Sequence, residues 1–246
     1  SLLILRRAQA STGEVKGRAS MERSKKKASA KALARLFKEL QQMVEPFEDP
    51  IVDAMVKVER SPFRVLIATI LSLRTKDEVT GKASDRLFQL ADNPKSMAEL
   101  DEELIAKTIY PVGFYKTKAK TVIDVCQTLL DKHKGKVPNN MDELLALKGV
   151  GRKTANLVLS AGFRMDAICV DTHVHRICNR WDYLKTKTPD ETEDVLRQIL
   201  PRKYWQTING LLVTMGQNIC TPQSPWCSKC SLHSWWCLQR DVKRSR

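Results

Sequence analysis

No apolar run in this 246-residue chain approaches the roughly 20 residues that a membrane helix needs, so no transmembrane helix is expected. No segment alternates apolar and polar residues convincingly enough to read as a strand, which argues against β layers. No fixed-period repeat and no long low-complexity tract occurs, so a repeat array is excluded. Acidic residues are in deficit: 28 Asp and Glu stand against 42 Lys and Arg, a net charge of +14. That imbalance argues for a polyanionic partner, although part of the excess sits in an N-terminal tail, and a solvated basic surface is the plainer alternative. A disulfide framework is also missing. Of seven cysteines, Cys126, Cys169 and Cys178 lie singly in apolar segments and read as small core residues. Scattered singles with one tight cluster point to a reducing compartment and a metal site.

What remains is helical. Leu33, Leu36, Phe37, Leu40 and Val44 form one helical stripe that stops before Pro46. Ser61 and Pro62 make a cap and first residue for a helix over Phe63–Leu73, apolar on nearly every face and therefore central to a core. Thr75-Lys76-Asp77-Glu78 resembles a capping box for a helix through Leu90, and Ser96–Glu99 repeats the signature. A long helix follows Gly113, from about Phe114 to His133, closed by Gly135 and Pro138. Further helices are expected from Asp171 to about Trp181, from Thr188 to about Leu200, and over Trp205–Gln217. The fold class is all-α, helices joined by short loops. Residues 1–25 read as a basic, disordered extension or a tag, with Met21 a candidate natural start. The acid-free, arginine-containing stretch Ser1–Thr12 leaves a transit peptide open.

The chain is organised around Leu147-Lys148-Gly149-Val150-Gly151-Arg152-Lys153. An amphipathic run, Met141–Leu147, enters it and a second, Thr154–Ala161, leaves it: a helix-hairpin-helix. Gly149 and Gly151 can take backbone angles closed to other residues and admit a phosphate to the main chain. The second helix would point its unpaired N–H groups at that phosphate, with Lys148, Arg152 and Lys153 adding charge. A tight turn between two core helices is the alternative for the glycines alone. On spacing alone Lys153 is as much a phosphate-binding lysine as a nucleophile, and Asp171 is first a helix cap. His173 and His175, on opposite sides of a helix start, read as polar packing residues. Lys116, Lys118 and Lys120 are a solvated face or a contact to a nucleic-acid backbone.

The remaining cysteines, Cys220, Cys227, Cys230 and Cys237, are spaced C-x6-C-x2-C-x6-C. Four thiolates this close can hold zinc or an iron–sulfur cluster. Zinc ribbons usually supply two C-x2-C knuckles; one knuckle with two wide flanks suits a [4Fe–4S] cluster better. No histidine or carboxylate is embedded to hold an open position, so the site reads as structural. Lys229, Arg240, Lys243 and Arg244 surround it with positive charge.

The hairpin, the segment Val170-Asp171-Thr172-His173 and the four cysteines, in that order, resemble the endonuclease III family of DNA glycosylases. Leu71-Ser72-Leu73-Arg74-Thr75-Lys76-Asp77, Tyr110-Pro111-Val112-Gly113-Phe114 and Ile208-Asn209-Gly210-Leu211-Leu212 extend the resemblance to about residues 30–240. It implies two helical domains flanking a DNA-binding cleft: a helical barrel over 55–165, and a cluster domain built from 26–54 and 166–246. It implies a bifunctional glycosylase and abasic-site lyase acting as a monomer on duplex DNA that carries oxidised pyrimidines or abasic sites. The enzyme would be membrane-free and tolerant of a chelator such as EDTA. Its place would be the cytoplasm or nucleoid in a bacterium, the nucleus or mitochondrion in a eukaryote.

Residue by residue, Lys153 matches the family's nucleophile and Asp171 its aspartate, while Cys220, Cys227, Cys230 and Cys237 match the ligands of its [4Fe–4S] cluster. Gly149, Val150, Gly151, Arg152 and Lys148 match its DNA-binding hairpin. Arg74 and Phe114 stand where the family places a gap-filling glutamine and a wedge leucine; a core aromatic at a helix start is the alternative for Phe114. The final cysteine interval is one residue longer than the commonest family spacing, so a looser loop is expected there. Two rivals remain: a monofunctional thymine- or adenine-specific mismatch glycosylase of the same superfamily, and a non-enzymatic DNA-binding module with a zinc site.

Overall fold

The computed structural model describes residues 29–58 and 61–246, with backbone alone for residues 55–58. The extension at 1–25, with its candidate start at Met21, lies outside them. Every regular element among the described residues is a helix, and none of these helices is long and apolar enough to cross a membrane.

Helix α1, Ala30–Val44, is capped by the Ser29 hydroxyl and buries Leu33, Leu36, Phe37 and Leu40, four of the five stripe residues. Helix α2 spans Ile51–Val58. In α3, Pro62–Ser72, the Ser61 hydroxyl accepts from the Arg64 N–H, Pro62 takes the first position, and eight of eleven residues are buried. The expected central helix is therefore central.

Two caps differ from expectation. Helix α4, Asp77–Leu90, begins after Lys76 with no side-chain cap. The Thr75 hydroxyl that was to cap it is occupied elsewhere, accepting from the Gly113 N–H and from Lys118 Nζ, each at 3.1 Å. Helix α5, Pro94–Ala98, starts before Ser96: Asn93 accepts from the Ser96 N–H, and Pro94 is the first residue. An asparagine caps as well as a serine, and a following proline is already set for the first turn.

Helix α6 spans Glu102–Ile109 under an Asp101 cap. Helix α7, Tyr115–His133, runs between left-handed residues at both ends, Phe114 and Lys134. Next come α8, Met141–Leu145, and α9, Arg152–Leu157, which continues through a π turn over Val158–Gly162. Helices α10 (Thr172–Arg180), α11 (Pro189–Ile199) and α12 (Trp205–Asn218) follow.

These helices enclose two sets of buried side chains. The first gathers around α3 and draws on α4 to α9. The second is built from α1, α10, α11, α12 and the segment that carries the four clustered cysteines. The chain passes from one to the other over residues 167–170. Ala167 and Cys169 belong to the first set, Ile168 and Val170 to the second, the two-sided alternation that extended backbone imposes. Asp171 comes next, so the fold delivers it to the junction. Nearby, Gln217 on α12 donates to Asp77 on α4 at 3.3 Å, a further tie between the two bodies.

Candidate functional site

The hairpin is pinned from below. Asn140 caps α8 by accepting from the Glu143 N–H at 2.9 Å. Leu147 and Val150 are buried, and the Val150 N–H closes the turn on the Leu147 carbonyl at 3.1 Å. The two glycines do different things. Gly149 has φ +75°, and a Cβ there would lie 2.7 Å from Thr121 Cγ2. Gly151 has φ −101° and ψ 178°, extended backbone open to any residue, and a Cβ on it would meet nothing within 4 Å. The expectation of special backbone angles thus holds for Gly149 alone. What Gly151 contributes is a bare main chain facing open space at the start of α9.

The charges at the turn are not all free. Lys148 pairs with Asp124. Arg152 turns to α11, where it meets Asp194 at 2.6 Å and Glu193 at 3.1 Å. Glu193 is buried and also binds Arg197 Nη2 at 2.9 Å, which in turn donates to Asn156 on α9. A buried carboxylate therefore fastens the hairpin's second helix to the second body. Arg152, expected beside the turn as added positive charge, is drawn into this network, where it and Arg197 together answer the buried Glu193 charge.

Lys153 is half-buried on the first turn of α9. Its carbonyl lies 3.7 Å from the Cys169 sulfur, in the chain segment that leads to Asp171. The Asp171 carboxylate is buried and caps α10: Oδ1 accepts from the His173 and Val174 N–H groups at 2.8 and 3.0 Å, and Oδ2 lies 2.9 Å from His173 Nδ1. Burial pushes the acid upward, but hydrogen bonding and charge from His173, the charge of Lys153 and the Val174 N–H outweigh it, so Asp171 is held below the usual carboxylate range. It is an anion at neutral pH, near enough to Lys153 to feel its charge. The residue that sequence reasoning missed is His173, read as packing and found on the Asp171 carboxylate. Its place two residues past an aspartate cap was the available signal.

Arg74 and Phe114 both adopt left-handed backbone, at φ 53° and 58°. The Arg74 guanidinium sits 5.8 Å from the centre of the Phe114 ring. Phe114 is 63% exposed, so the reading as a core aromatic fails. The triplet of lysines splits: Lys116 and Lys120 are exposed, whereas Lys118 is buried and fits neither expectation. Its side chain reaches under the Arg74 turn to the backbone at the end of α3.

Cys220, Cys227, Cys230 and Cys237 line one pocket, walled by Trp181, Met215, Ile219 and Trp226. Sulfur acts there as a hydrogen-bond acceptor: Arg180 donates to Cys220 Sγ at 3.3 Å and the Gln239 N–H to Cys237 Sγ at 3.3 Å. Arg180 is buried and also donates to the Thr221 and Pro222 carbonyls at 2.7 and 2.6 Å, while Arg176, one turn earlier on α10, reaches the Cys220 carbonyl at 3.0 Å. Among the described residues no group of three or more His, Cys, Asp or Glu gathers as tightly as one metal ion requires. The longer final interval is not loose. The Leu232 carbonyl accepts from both the Trp236 and the Cys237 N–H groups, at 3.0 and 2.9 Å, and Leu232 and Trp236 are fully buried. One widened turn absorbs the extra residue.

Residues 67–202 match the HhH-GPD superfamily base excision DNA repair protein family. The chain is 48% identical over 174 residues to endonuclease III of Thermotoga maritima, covering 71% of this chain and 82% of that protein. Its fold is similar to a trapped covalent endonuclease III–DNA intermediate at a TM-score of 0.72 and 34% identity, covering 84% of this chain and 95% of the other. A non-covalent endonuclease III–DNA complex is similar at a TM-score of 0.75 and 32% identity, with 86% and 96% covered.

Proposed function

We propose, for a chain that belongs to the HhH-GPD superfamily of base excision DNA repair proteins and within it to the endonuclease III family, that Lys153 and Asp171 are the reacting pair of a DNA glycosylase and abasic-site lyase. Base excision repair by glycosylase and lyase activity is the function of this family, and this chain shares it. The finer reading concerns which groups act and on what.

The observation that carries it is the meeting of two bodies at one site. A lysine of the first body, whose carbonyl lies 3.7 Å from the Cys169 sulfur two residues before Asp171, is brought beside a buried aspartate that caps α10 of the second. In the proposed reaction the neutral Lys153 amine attacks C1′ of an everted deoxyribose. The bond from C1′ to the base breaks and the base leaves with the electron pair; the C1′–O4′ bond then opens, with a proton passing from the nitrogen to O4′, and a Schiff base remains. Loss of a C2′ proton then expels the 3′ phosphate and cuts the strand. Asp171, held as an anion, stabilises positive charge as it develops on the sugar. His173 fixes the carboxylate's orientation. Gly149, Val150 and Gly151 offer bare backbone to a phosphate; Lys148 and Arg152 flank the turn in sequence, and to reach that phosphate their side chains must leave Asp124 and the Glu193–Asp194 pair. Arg74 and Phe114 enter the gap left by the everted nucleotide, phenylalanine as the wedge.

The two packed sets of side chains support a barrel domain and a second domain divided close to the expected 55–165 against 26–54 with 166–246, except that Ile51 and Val52 of α2, and Ala167 and Cys169, pack with the first set; duplex DNA would lie across the cleft between the domains. Cys220, Cys227, Cys230 and Cys237 would hold a [4Fe–4S] cluster, to which the soft donor set and the Arg180 and Gln239 hydrogen bonds to sulfur are suited. When bound, the cluster supplies a structural cross-link; Arg176 and Arg180 hold the Cys220 end of its loop.

Oxidised pyrimidines are the proposed substrates. A panel of duplexes, each with a different damaged or mismatched base, scored separately for base release and strand nicking, tests this. Nicking that accompanies release of oxidised pyrimidines is expected. Release of a mismatched thymine or adenine without nicking would replace the reading with that of a monofunctional enzyme.

A further inference from the structure

Lys118 is a buried cation that the proposed chemistry does not use. Its ammonium donates to the Leu71 carbonyl at 2.8 Å, the Leu73 carbonyl at 2.5 Å and the Thr75 hydroxyl at 3.1 Å. These three acceptors are neutral, and burial pushes the amine down to about 8. Leu71 and Leu73 carry carbonyls that the end of α3 leaves without helical partners, where a cation is favoured. Three tetrahedral donors meet three converging acceptors, a match that the planar fork of arginine reproduces only in part.

The acceptors lie on both sides of Arg74. The donor stands one turn beyond Phe114, whose carbonyl accepts from the Lys118 N–H at 3.0 Å. The two turns also touch directly. The Gly113 N–H donates to the same Thr75 hydroxyl, and a Cβ on Gly113 would fall 2.7 Å from the Arg74 carbonyl oxygen. Left-handed backbone at a non-glycine residue is strained. Two such residues side by side, at Arg74 and Phe114, need something that over-determines them.

We propose that Lys118 is a positioning residue that locks the Arg74 and Phe114 turns into one unit, and so sets how the enzyme discriminates among the bases left opposite an everted nucleotide. The proposal rests on the placement of Arg74 and Phe114 in the DNA gap. It leaves attack at the sugar to other groups.

The test uses the full chain and duplexes that carry a stable tetrahydrofuran abasic analogue opposite A, C, G or T, so that binding is read without chemistry. Wild type is expected to show a spread of Kd across the four. In Lys118→Met that spread should collapse to within about twofold, as in Arg74→Ala, and the double variant should be no flatter than either single variant. Lys118→Arg should restore part of the spread. Hydrogen exchange of the free protein should rise together at residues 73–76 and 112–115 in Lys118→Met, with the rest of α3 and α7 unchanged. Borohydride trapping on duplex DNA with a natural abasic site should stay within about threefold of wild type. The proposal is overturned if wild type binds the four duplexes equally, if Lys118→Met keeps the wild-type spread, or if exchange rises throughout the first body. Failure of wild type to trap at all would instead remove Lys153 as nucleophile and leave the binding and exchange results to decide on Lys118.

Discussion

Asp171 caps α10 and, in the proposed reaction, has a second role on the same carboxylate; the two can be separated. As a cap it needs an oxygen acceptor for the His173 and Val174 N–H groups; as a partner to the reacting sugar it needs charge. Asp171→Asn keeps the acceptor and removes the charge, so activity should fall by about 100-fold or more while stability changes by less than about 1 kcal/mol. Asp171→Ala should lose the activity and, in addition, about 1 kcal/mol of stability. The acid dependence has a definite sign. The carboxyl is held lower in the folded chain than its ordinary value, so the unfolded chain takes up the proton first as pH falls. The stabilisation is fully present above the ordinary value of about 4 and disappears as pH falls through the folded value. Thermal or urea melts of wild type and Asp171→Asn from neutral pH to about pH 3 should therefore converge at the acid end. A gap that widens on acidification would contradict the assignment.

At the scale of the element, the hairpin shows what the sequence could and could not say. Its limits, its buried Leu147 and Val150 and its exposed turn follow from spacing and glycine content. The division of labour between the glycines does not, because it depends on Thr121 from another helix. Gly149→Ala must accept a left-handed alanine against Thr121 and should cost about 1–2 kcal/mol. Gly151→Ala should fold within about 0.5 kcal/mol of wild type yet bind DNA several-fold more weakly. A Gly151→Ala variant that titrates DNA as tightly as wild type would show that Gly151 has no role in approach. The cap at Thr75 failed for the same kind of reason, a hydroxyl claimed from 38 residues away; the cap at Ser96 failed for a local one, an Asn-Pro pair one turn earlier. Lys118 was illegible because only the folded chain brings the end of α3 beneath α7.

Across the whole molecule, the fold class and the order of motifs were plain from helical periodicity, while the ion-pair network from Arg152 through Glu193 to Arg197 was not, since nothing local marks Glu193 as buried. The five tryptophans are distributed unevenly: Trp181, Trp205 and Trp236 lie in the second set of buried side chains, and Trp226 and Trp235 pack against it. Tryptophan emission therefore reports on one body only. Removal of the proposed cluster by an oxidant should change that emission and bleach the visible absorbance together, while hydrogen exchange in α3 and α7 stays slow. Loss of protection in α3 at the same moment would mean that the two bodies melt as one. The central claim is tested most directly by borohydride reduction on duplex DNA with an abasic site, followed by mass mapping of the cross-linked peptide. The adduct should sit on Lys153, and Lys153→Ala should form none; trapping by Lys153→Ala at the wild-type level, or an adduct on another lysine, would contradict it.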